Sequence, residues 1–87
     1  PAPDPAPVIS NTYNINVNSS PWKQPMISSI EIYQQPTNYP NSTLTKEGDT
    51  VVYTYSPNMV KSKTSDMFIL KNNSNDELTQ YNVNIVS

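Results

Sequence analysis

Histidine, cysteine and arginine are all missing from these 87 residues, and there is one glycine. Without histidine or cysteine, histidine-based triads, thiol nucleophiles and the usual zinc sites have no ligands or bases to draw on. Without cysteine there are also no disulfides, which leaves the redox compartment open. Without arginine, five lysines scattered among seven acidic residues (net charge −2) do not form the basic footprint that nucleic acid requires. No run of eighteen apolar residues is present, so membrane insertion by this segment is not expected. Charged residues are only 14% of the chain, too few for a typical charged disordered segment. Nine prolines interrupt most windows, and none shows the i, i+3, i+4 apolar spacing of a helix.

The chain does hold six tyrosines, one tryptophan and one phenylalanine, large side chains that can fill a thin core. It also holds short alternating stretches. Val51, Tyr53 and Tyr55 fall on one face of a strand, because successive strand residues point to opposite sides. Asp66 to Leu70 places Phe68 and Leu70 together, and Tyr81-Asn82-Val83-Asn84-Ile85 alternates large apolar residues with asparagines. These three strands predict the core: Val51, Tyr53, Tyr55, Phe68, Leu70, Tyr81, Val83 and Ile85, faced by Ile15, Ile30 and Ile32. Ile9 to Val17 predicts a first strand, Met26 to Tyr33 a second, and Thr43 to Lys46 a short one. Asn18 to Pro25, with Trp22 between two prolines, reads as a loop, and Gln34 to Ser42 as a long connection. Gly48 is expected at a positive φ in the turn before Val51. Six or seven short strands with turn residues between them predict a small antiparallel β-sandwich. Residues 1–8, PAPDPAPV, have little to bury and favour extended polyproline II, so they read as a spacer ahead of a domain over 9–87. The chain starts with proline rather than methionine, which predicts an excised or processed unit.

Several short motifs then carry a resemblance. Tyr55-Ser56-Pro57-Asn58, Ser65-Asp66-Met67-Phe68 and the alternating final strand follow one another much as "YTPN", "GTDSF" and "VTVTV" do in bacterial cadherin-like, immunoglobulin-like repeats of large surface proteins. Upstream, Gln35-Pro36-Thr37-Asn38 resembles the "QPTNG" turn of that family, and Thr12 to Val17 its opening strand. The likeness is densest from residue 35 onward, and the family's glycines are absent, with Asn41 and Thr64 near their places. The resemblance implies an extracellular or cell-envelope location, neighbouring domains or another protein as partners, and a role as spacer or adhesion unit. A carbohydrate-binding module, or a structural component of a virion or secretion machine, is the alternative.

Candidate site residues are few. Two carboxylates facing each other across a cleft would be needed for glycoside hydrolysis, and the acids here fall at strand ends and turns. The expectation is a non-catalytic module without a cofactor. Because the resembling repeats include calcium binders, Asp66, Asp76 and Glu77 are the calcium candidates. The acid-rich runs that bring six to eight oxygens around that ion are missing, however, so turn and solvent roles are the favoured reading. Trp22, Tyr33 and Tyr39 are the candidates for stacking a glycan or anchoring a protein partner, with core packing the simpler role for the tryptophan.

Overall fold

A computed structural model describes residues 8–26 and 29–86; the spacer predicted over 1–8 therefore lies, apart from Val8, outside the described residues. Seven strands form two sheets: β1 (Ile9–Val17), β2 (Trp22–Pro25), β3 (Ile30–Gln34), β4 (Ser42–Glu47), β5 (Thr50–Tyr55), β6 (Ser65–Asn72) and β7 (Glu77–Ile85). A single 3-10 turn, Met59–Lys61, links β5 to β6, and there is no α-helix among the described residues. One sheet has the order β1-β7-β6-β3 and the other β2-β5-β4. Apart from β1, this is the arrangement of an immunoglobulin-type sandwich, in which the third, sixth and seventh strands oppose the second, fourth and fifth.

The alternating strands build the core as their periodicity demands. Val51, Tyr53, Phe68, Leu70, Val83 and Ile85 are buried, and Tyr53 and Phe68 exclude solvent completely. Tyr55 and Tyr81, expected inside, are half-buried, as are Ile15, Ile30 and Ile32, all packed against the rim of the core. Val17, Leu44 and Met59 complete the buried cluster from positions outside the expected set. An aromatic row crosses the sandwich, with ring centroids 5.7 Å apart from Tyr13 to Tyr81, 5.2 Å to Phe68, 5.9 Å on to Tyr53 and 6.0 Å to Tyr55. These separations lie within the range of favourable ring contacts.

Three expectations are corrected. Trp22 to Pro25 is a strand, not a loop: Trp22 stands opposite Tyr53 and Pro25 opposite Thr50 at the outer side of β5. Proline is tolerated there because an edge strand leaves every second amide without a ladder partner. The strand expected over Met26 to Tyr33 begins only at Ile30. The sandwich is also not wholly antiparallel, since β1 runs parallel to β7, with Tyr13 beside Tyr81, Ile15 beside Val83 and Val17 beside Ile85. The segments YNINV and YNVNI thus lie in register, like beside like. Their asparagines meet on the outer face, where the amide nitrogens of Asn82 and Asn84 donate to Asn14 and Asn16 at 3.1 and 3.3 Å. Gly48 takes the expected positive φ of 61°, which a residue without Cβ adopts at little cost.

Candidate functional site

Three short segments, Gln35-Pro36-Thr37-Asn38, Tyr55-Ser56-Pro57-Asn58 and Ser65-Asp66-Met67-Phe68, converge at one end of the sandwich. Asp66, buried at the start of β6, accepts four hydrogen bonds. Its Oδ1 receives the backbone amides of Met67 (2.9 Å) and Asn38 (3.2 Å), and its Oδ2 the hydroxyls of Ser42 (2.5 Å) and Tyr53 (2.6 Å). The same loop is pinned by Thr37, whose amide donates to the Met67 carbonyl, and by Asn38, whose side chain donates to the Ser65 carbonyl. Gln35 uses its carboxamide as a strand would, accepting from the Leu44 amide and donating to the Leu44 carbonyl, both at 2.9 Å. Pro36 is buried as well. The Tyr55-Ser56-Pro57-Asn58 turn joins the cluster where the Ser56 amide donates to the Asn41 carbonyl at 2.8 Å.

The chemistry of this knot is structural. Burial, followed by the hydrogen bond to Asp66 and the charge of Asp66, pushes the Tyr53 phenol well above its ordinary pKa. A phenol so held keeps its proton and donates it to the carboxyl oxygen. No buried side-chain nitrogen or oxygen among the described residues is left without a partner. With two backbone amides and two hydroxyls on its two oxygens, Asp66 works as the tie between the loop, β4, β5 and β6.

The other two calcium candidates lie elsewhere. Asp76 lies in the turn from β6 to β7 and Glu77 opens β7 opposite Asn72, whereas Asp66 is at the opposite end of β6. Six residues of strand separate the two places, roughly 20 Å. Asp76 has a φ of 59° and an ion pair with Lys71 (3.6 Å), and Glu77 is exposed. The fold does not bring the three acids together, and no cluster of three metal-ligating side chains occurs among the described residues.

Nor does it assemble the three aromatic candidates. Tyr39 is exposed beside a polar hollow with Asn41, Asn58 and Lys63, and Tyr33 is exposed on β3 beside Lys71 and Asp76. Trp22 is half-buried on β2 and lines a third hollow, of about 290 Å³, between the edges of the two sheets. Its companions there are Tyr13, Ile15, Met26 and Tyr81, with Asn14 and Gln24 at the rim. Burial also raises the Tyr81 phenol above its ordinary pKa, with Tyr13 adding to the effect, and its hydroxyl lies 3.9 Å from the Met26 sulfur. Alternation along β1 and β7 places Tyr13 and Tyr81 on the inner face. What it cannot convey is that the sandwich gapes beside them, because that follows from which strands end up at the edges. Compared with protein-family models, curated proteins and solved structures, the chain matches none.

Proposed function

We propose that the chain is a non-catalytic β-sandwich module of a larger extracellular or cell-envelope protein, working as a structural spacer or adhesion unit between neighbouring domains. The observation that carries this reading is the parallel pairing of β1 with β7. The chain enters the sandwich at Ile9 and leaves it at Ile85, and parallel strands put those two points at opposite ends. Nine residues of strand separate them by about 26 Å along the sheet. A module whose entry and exit face opposite ways can be inserted into a line of domains without folding the line back. The polar knot supports the same reading, because its hydrogen-bonding groups are engaged within the fold. The carbohydrate-binding alternative keeps only Trp22 of its three aromatics at a common hollow, so it ranks second.

Two copies joined end to end, each with Asn14→Lys so that their uncharged β1 edges repel rather than pair, test the reading. Small-angle scattering should show a maximum dimension extended by about one module length, with each copy retaining its melting temperature. Two copies folded back side by side would overturn the in-line arrangement.

A further inference from the structure

Every open sheet edge presents unpaired backbone groups, and folded proteins protect such edges with charge, proline, irregularity or a covering segment. Among the described residues, three of the four sheet edges have such protection. β2 is four residues long, carries Lys23 and ends in Pro25. β3 carries Glu31, has an irregular register between Ile32 and Gln34, and has the Lys46 ammonium donating to its Ile30 carbonyl. β4 carries Lys46 and Glu47 and is capped at Leu44 by the Gln35 carboxamide. β1 is the exception: nine residues, ISNTYNINV, with no charge and no proline, and its register irregularity confined to Ile9–Asn11. Directly beside it lies the apolar hollow of Tyr13, Ile15, Trp22 and Met26. Tyr13 points to the inner face yet remains 53% exposed.

We infer that β1 is an association edge and that its occupant is the β1 strand of a second copy of this chain. The chemistry of the match is already visible within one molecule. The inner side of β1 accepts YNVNI from β7, joined across the outer face by asparagine amides. A second β1 offers YNINV, the same alternation. Antiparallel pairing about a twofold axis near Asn14 sets Tyr13 of one copy across from Ile15 of the other. It thereby covers both hollows, and on the outer face it sets Asn14 against Asn14 and Asn16 against Thr12, polar beside polar. An isologous contact of this kind closes on itself, merging two four-stranded sheets into one of eight strands, and consumes the unprotected edge in both copies. The only tryptophan stands in the hollow and reports on its burial.

Sedimentation equilibrium on the full chain, from micromolar concentrations to about 1 mM (the weak end of specific recognition), should show a monomer–dimer equilibrium. Tryptophan emission should shift to the blue as the dimer forms. Asn14→Lys places two lysines opposite each other and should weaken association at least about tenfold, since like charges oppose strand pairing. Thr12→Lys, a second exposed position, should act in the same direction. Mixing Asn14→Lys with Asn14→Asp should restore the dimer as a heterodimer. Melting temperatures of the dilute variants near that of the parent exclude loss of fold as the cause. A strictly monomeric parent across the whole range overturns the inference, as does a dimer indifferent to both lysines. Open-ended polymers overturn the closed twofold contact.

Discussion

The aromatic row runs between two unlike regions of the sandwich. At one, Tyr53 is sealed from solvent and its hydroxyl meets Asp66 at 2.6 Å, in a knot where loop, β4, β5 and β6 share a single carboxyl group. At the other, the Tyr81 and Tyr13 rings meet at a tilt beside Trp22 in a hollow open to water, and among the described residues the Tyr81 hydroxyl donates to a methionine sulfur. The rings are alike, and the sequences around them are equally polar. What differs is whether a third element crosses the gap between the sheets. The Gln35 to Asn41 connection closes the first end, and among the described residues nothing comparable closes the second. Stability is therefore expected to concentrate at the knot, and surface for partners at the hollow.

The largest effect should come from the ring that joins the two ends. Phe68→Ala removes a fully buried aromatic that touches both Tyr53 and Tyr81. It should cost about 3–5 kcal/mol, since neighbouring rings cannot collapse into the space left behind. Thermal unfolding should show a drop of 10 °C or more on the ~4–8 °C per kcal/mol scale of a small domain.

Next in size is the knot itself. Asp66→Ala leaves the Ser42 and Tyr53 hydroxyls buried without their acceptor, a loss of about 2–3 kcal/mol. Combining it with Tyr53→Phe should cost less than the sum of the two single changes, because both act on one bond. Strict additivity in denaturant unfolding would mean that the bond does not hold the end together.

Alkali distinguishes the two ends from the rest of the molecule. Both Tyr53 and Tyr81 have phenols raised above the ordinary value of 10.0. The native state therefore holds these protons more tightly than the unfolded chain does. Their contribution is complete below about pH 10, the unfolded value, and is lost as pH rises through the higher native values. Denaturation followed from pH 8 upward should show stability flat at first, then falling beyond pH 10. Tyr53→Phe should blunt that fall more than Tyr81→Phe, since Tyr53 is the more deeply buried and also bonded to Asp66.

The smallest change is expected at the open end. Tyr13→Ala removes a half-exposed ring and should cost under about 1 kcal/mol, because little of its surface leaves water on folding. A loss as large as that of Phe68→Ala would show that the hollow is core rather than surface.

The contrast between the ends also explains what could be seen in the sequence. At the knot the turn role of Asp66 was legible, and the Met67 and Asn38 amides do donate to it; its Ser42 and Tyr53 partners were not, because those contacts join strands distant in sequence. Alternation was informative for β5, β6 and β7, where one face is dry. β2 was hidden by Pro21 and Pro25, which punctuate a strand just as they punctuate a loop. The direction of β1 was hidden because a period of two is the same in parallel and antiparallel ladders. Tyr13 and Tyr81 could be assigned to an inner face, but their place at an open seam depends on strand order, which no local pattern records.

The parallel pairing of β1 and β7 has a mechanical side. Tension applied through the two ends of the module draws Ile9 and Ile85 apart along the strand axis. The two strands would then have to slide past one another, with the ladder bonds from Ile9–Leu78 to Val17–Ile85 resisting in shear and sharing the load. A hairpin pulled at its open end instead peels one bond at a time. The row of Asn14–Asn82 and Asn16–Asn84 side-chain bonds lies across the same slip line and adds to the resistance.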